Sequence, residues 1–155
     1  MRHVRAVSIS ASVNESAMTL TRRTWGKGKQ FVYVISANKR IRRTADRSRY
    51  SDRGSRIIYI GSTTRIGKRR TGYNVARIAD KTFLDLNGVN ALTVKILKCG
   101  TARRNCEPAQ QLEGALIRRF KYKYRYRPYY NRNDGPKVFV RFTEKRLDNI
   151  LEDLG

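Results

Sequence analysis

Four kinds of position in this 155-residue chain have the types and spacing that phosphodiester chemistry asks for. Such hydrolysis needs a cation on the scissile phosphate, a group that orients and deprotonates water, and positive charge to meet the extra negative charge of the transition state. Glu113 is a hard oxygen ligand of the sort a Mg²⁺-like ion takes, because that ion keeps several waters and needs few protein carboxylates. Arg69 offers a planar fork that grips a phosphate through two parallel hydrogen bonds. Tyr33 and Tyr59 are phenols, and a phenol beside a cation and a guanidinium gives up its proton below its ordinary value of about 10. Taken singly, each has a plainer role: the tyrosines as strand aromatics, Arg69 as one of many cations, Glu113 as half of an ion pair. Their order and offsets set them apart, since Arg69 follows Gly61 by eight residues and Glu113 sits inside an otherwise apolar and basic helix. To act together, the two phenols, the guanidinium and the carboxylate must converge around one hydrated cation.

The elements that position them can be read from the apolar pattern. Phe31-Val32-Tyr33-Val34-Ile35 and Ile57-Ile58-Tyr59-Ile60 are short β-branched and aromatic runs bounded by polar residues, which predicts buried strands. Leu92 to Leu97 alternates enough to be a third strand. Apolar positions between Arg65 and Lys81 predict a helix carrying Arg69 and, one turn on and on the same face, Tyr73. Glu107-Pro108 predicts a helix start, with Leu112, Leu116 and Phe120 spaced as an apolar stripe. Val138 to Phe142 is strand-like, and Thr143 then caps an amphipathic helix on Leu147, Ile150, Leu151 and Leu154. The whole, 1–155, reads as one domain: an N-terminal arm or extra strand over 1–28, a core over 30–133 with a basic insertion at 38–55, and a C-terminal strand–helix extension over 134–155.

Phe31-Val32-Tyr33, Tyr59-Ile60-Gly61, Arg69, Glu113 and Pro128-Tyr129-Tyr130-Asn131, in that order, resemble the GIY-YIG nuclease family. The first triplet carries Phe where the family has Gly; the second is intact, and the likeness spans about residues 30 to 131. The resemblance implies an α+β fold with a small three-stranded antiparallel sheet flanked by helices. It also implies metal-assisted hydrolysis of double-stranded DNA with Mg²⁺ or Mn²⁺, Glu113 holding the metal and either Tyr33 or Tyr59 acting as base. Tyr73 is similar to the residue at that place in the excision-repair members. Asn131 matches the family's terminal Asn, which braces the site, with Asn133 as its competitor because the Glu-to-Asn spacing is long here. Without a separate targeting module after the core, the layout resembles compact restriction or phage-type nucleases. One such site cuts one strand, so a double-strand break implies a homodimer or two visits.

Charge agrees with a polyanionic partner. Thirty-five Lys and Arg against twelve Asp and Glu give a formal +23, a charge at which a lone domain repels itself unless a polyanion screens it. Candidate DNA contacts are Arg40, Arg42, Arg43, Arg47, Arg49 and Arg53 in the insertion, and Lys68 and Arg70 beside Arg69. Arg118, Lys121, Lys123, Arg125 and Arg127 alternate with tyrosines, which predicts an extended ribbon with cations outward. No run of about 20 apolar residues predicts a membrane span. Two cysteines and a single His assemble no zinc cage, which points to reduced thiols and a cytoplasmic protein. A non-catalytic basic protein, for example one bound to ribosomal RNA, fits the composition equally well, and an RNA-cutting variant would use the same site.

Overall fold

The computed structural model describes residues 7–12, 30–41, 54–63, 88–89, 91–100, 108–139 and 141–154. Among these, strands β1 (Val7–Ser12), β2 (Gln30–Ile41), β3 (Ser55–Thr63) and β4 (Ala91–Gly100) form one antiparallel sheet in the order β1-β4-β2-β3. The three expected strands are β2, β3 and β4. The sheet nevertheless has four, because part of the N-terminal arm pairs along β4 as an edge strand. Helices α1 (Pro108–Tyr124) and α2 (Glu144–Leu154) begin where Pro108 and Thr143 predict. The helix expected over 65–81 lies outside the described residues.

Phe31 to Ile35 is at most 2 % exposed, so this strand is buried on both faces, as its unbroken apolar run requires. Val32, Val34, Ile57 and Ile60 face the helices, meeting Leu112, Leu116, Ile117, Phe120 and the α2 stripe of Leu147, Leu151 and Leu154. Phe31, Tyr33, Ile35 and Ile58 face the other way, in a second cluster with Val89 and Leu92. A register shift between Ile35 and Ser36 lets the consecutive Ile58 and Tyr59 both join that second face.

Side chains of the sheet close the helix ends. Gln30 accepts from the Ala109 amide in the first turn of α1, while Ser36 and Lys95 donate to the carbonyls of Leu154 and Asp153 at the end of α2. The two helices are tied by Arg119, whose guanidinium makes a two-pronged pair with Asp148 at 2.9 and 2.7 Å and reaches Glu144 at 2.9 Å. Arg119 holds the Asp148 carboxylate below the ordinary range. Its contribution is therefore complete at neutral pH and is lost as pH falls through that depressed value.

Three expectations fail here. The basic insertion is shorter than 38–55, because Asn38 to Ile41 continue β2. The Arg118-to-Arg132 ribbon is instead the end of α1 followed by a turn. Helical hydrogen bonding wins through Tyr124, and Arg125, with φ of 64°, then stops the helix. The strand expected over Val138–Phe142 also does not form among its described residues. Its backbone is taken by a buried side chain: Gln111 on α1 donates to the Lys137 carbonyl and accepts from the Phe139 amide, so one side-chain amide does the work of a neighbouring strand. Contact there is close, for a Cβ on Gly114 would stand 2.2 Å from the Pro136 carbonyl oxygen.

Candidate active site

Gly61 explains the company of the two phenols. Tyr33 on β2 lies opposite Gly61 on β3, and Tyr59 is two residues earlier on β3, hence on the same face. Their ring centroids are 5.7 Å apart, tilted by 38°. A Cβ on Gly61 would stand 2.7 Å from Cζ and Oη of Tyr33 and 2.7 Å from Cε1 of Tyr59, so both rings lie over the bare Cα. Tyr33 is 2 % exposed, whereas Tyr59 is only half-buried.

Ser62, the next residue, turns to the opposite face and donates from Oγ to Oε2 of Glu113 at 2.5 Å. Glu113 projects from α1 between the buried Leu112 and Gly114. Burial raises its carboxyl above the ordinary value, while the Ser62 hydroxyl and amide pull it back down. No described residue gives it an ion pair. A half-dry carboxylate with only neutral donors invites a cation. Among the described residues no three His, Cys, Asp or Glu gather as ligands; Glu113 is a single hard oxygen donor of the kind a hydrated Mg²⁺-like ion can take.

Asn131 closes the free edge of β3. Its side-chain amide accepts from the Ile60 N–H at 3.0 Å and donates to the Ile60 carbonyl at 2.7 Å, and the Tyr130 amide donates to the Ile58 carbonyl. The competing Asn133 is turned inward to its own loop, accepting from the Gly135 amide. Asn131→Ala is therefore expected to cost about 1–2 kcal/mol, two modest hydrogen bonds on a partly exposed edge, with Asn133→Ala nearly silent; urea unfolding of both variants checks this.

The four described candidates thus meet on three consecutive residues: Asn131 on Ile60, the phenols on Gly61, Glu113 on Ser62. They do not form a one-sided cluster. Alternation puts the Glu113 anchor on the helix face of β3 and the phenols on the other, so the convergence of phenols and carboxylate expected from the sequence is not what these residues show. Arg69 and Tyr73 lie outside the described residues, as do Arg42, Arg43, Arg47, Arg49, Arg53, Lys68 and Arg70.

Several expected DNA contacts are engaged within the protein. Lys121 pairs with Asp134 at 3.0 Å, Arg127 donates to the Arg132 carbonyl, Arg118 donates to the Pro136 carbonyl, and Lys123 pairs with Glu152 at 2.9 Å. Arg125 lies 5.4 Å from the centre of the Tyr122 ring. Arg40 is exposed on β2. Ser62 and Arg56 were not anticipated; for Ser62 the signal was its place directly after Tyr59-Ile60-Gly61 on an edge strand. Burial pushes the Cys99 thiol up to about 11, which leaves it protonated and unreactive, and Cys106 lies outside the described residues. No helix among the described residues is long and apolar enough to cross a membrane. A scan of protein-family models finds none that matches the chain, and searches of curated proteins and of solved structures likewise find no match.

Proposed function

We propose that this protein is a metal-dependent endonuclease of the GIY-YIG kind, hydrolysing phosphodiester bonds in double-stranded DNA. What supports the reading is the Glu113 carboxylate, held by Ser62 directly after Tyr59-Ile60-Gly61 and without an ion pair among the described residues, in a chain of formal charge +23. Glu113 would hold Mg²⁺ or Mn²⁺, which supplies charge neutralisation at the phosphate when bound. Arg69 would grip a non-bridging oxygen through its fork, with Lys68 and Arg70 beside it. Tyr59, the phenol with solvent access, would orient the attacking water and, once ionised to phenolate beside the metal and Arg69, take its proton to become the neutral phenol; Tyr33, packed in the core, fixes the Tyr59 ring. Asn131 holds the Ile60 peptide, and so the register of the strand beneath.

Supercoiled plasmid incubated with Mg²⁺ or Mn²⁺ tests the reading. Nicking by the wild type and none by Glu113→Ala supports it; no cleavage of any duplex with either metal overturns it. The two tyrosines separate in the same assay. Tyr59→Phe is expected to slow nicking at least tenfold with little change in unfolding temperature, while Tyr33→Phe mainly alters stability. A non-catalytic basic nucleic-acid-binding protein is the second reading, favoured by the placement of carboxylate anchor and phenols on opposite faces of β3. It predicts tight duplex or RNA binding with no metal-dependent product.

A further inference from the structure

A second cationic site stands at the other end of β3. Arg40 near the end of β2, Arg56 at the start of β3 and Lys123 in the last turn of α1 line a cleft of about 550 Å³, floored by Tyr124 and Leu151. Both arginines are exposed, and neither has an ion-pair partner among the described residues. The carboxylate in the cleft, Glu152, is held by Lys123 at 2.9 Å. Two guanidiniums on neighbouring strands therefore share one cleft with no carboxylate paired to them among the described residues, an arrangement that an entering anion would stabilise.

The geometry points to a phosphate-binding cleft that holds the nucleic-acid backbone away from the cutting site. Seven residues of strand separate Ser55 from Ser62 and ten of helix separate Lys123 from Glu113, placing the cleft about 15–23 Å from the carboxylate. Along a duplex that is roughly four to seven base pairs, at about 3.4 Å each. Two guanidinium forks and an ammonium suit phosphodiester oxygens. Glu152 sets the strength of the site by neutralising Lys123. The inference rests on the nucleic-acid reading above, but not on cleavage.

Binding of a labelled duplex of about two helical turns, measured by anisotropy in EDTA across about 50–200 mM salt, tests it. The double variant Arg40→Gln, Arg56→Gln is expected to lower the slope of log affinity against log salt by about 2, one phosphate contact per arginine. Glu152→Gln, which frees Lys123, is expected to raise affinity and steepen the slope. Removing equal charge from the exposed Arg141 and Lys145 should leave the slope in place. Equal loss in both double variants would show net charge alone at work and overturn the cleft. So would an unchanged slope in Arg40→Gln, Arg56→Gln whose unfolding temperature matches the wild type. Inorganic tripolyphosphate is the second arm. Stoichiometric binding that the double variant loses, with the duplex slope unmoved, would assign the cleft to free polyphosphate and overturn the backbone assignment. A lowered slope in a protein that never nicks plasmid would keep the cleft and sink the nuclease; nicking with an unmoved slope would do the reverse.

Discussion

Glu113→Gln is expected to lower metal-dependent nicking by at least about a hundredfold while leaving the metal-free protein as stable as the wild type, or more so, at neutral pH. The activity loss follows from removing the carboxylate proposed to hold a cation, on the scale of a lost electrostatic contact in a preorganised site. The stability gain follows from burial. Because the folded chain raises the Glu113 carboxyl, it holds that proton to higher pH than the unfolded chain does. Stability linked to this group is present below the ordinary carboxylate value and is lost as pH rises through the raised one. Above that raised value the charged form sits half-desolvated at a cost. Gln keeps the shape and can still accept from Ser62, but carries no charge. Thermal unfolding against pH, with and without Mg²⁺, separates the contributions. The wild-type-minus-variant difference should fall as pH rises through the raised value. Mg²⁺ should raise the unfolding temperature of the wild type alone, by binding only its folded form. A variant that cuts normally removes Glu113 from the chemistry, and one that unfolds earlier at neutral pH makes it a structural strut.

How far this site could be read from sequence depended on whether a residue's neighbours are set by local pattern. The strands around Tyr33 and Tyr59 and the helix bearing Glu113 were legible because unbroken β-branched runs and an i, i+4 stripe each admit one comfortable element. The fourth strand was not. Val7 to Ser12 mixes small and apolar residues, and only pairing with β4 decides it. The tyrosine-rich stretch after Arg118 misled because its period-two pattern coincides with a helix end, where Phe120, Tyr124 and Tyr126 pack ring against ring. Val138 to Phe142 has the composition of a strand, yet Gln111, a polar residue buried on α1, takes its backbone groups. Spacing along the chain could say that Glu113 and the phenols approach the same residues of β3. It could not say from which face, since that depends on the single-residue step between Gly61 and Ser62.

That step makes Gly61→Ala the sharpest test of the phenol pair. Gly61 is not in the left-handed region, so alanine meets no backbone penalty and the substitution probes space alone. The added methyl would stand 2.7 Å from atoms of two rings, about 1 Å inside ordinary carbon contact. Tyr33, 2 % exposed within the cluster that holds Phe31 and Ile35, has little room to retreat; Tyr59, half-buried, is the ring with room to move. Overpacking of this kind costs about 1–3 kcal/mol, or about 2–4 °C in unfolding temperature per kcal/mol for a chain of this size. If Tyr59 touches the attacking water, a displacement of about 1 Å lowers cleavage by up to a hundredfold well below the unfolding temperature. Combining Gly61→Ala with Tyr59→Phe should then add little further loss of rate, because the same hydroxyl is already misplaced. Full activity in a destabilised Gly61→Ala protein would reduce both phenols to packing, and leave Glu113 and the cations to account for any cutting. Loss of activity without loss of stability would mean that the rings yield freely, and that the bare Cα of Gly61 serves the substrate rather than the sheet.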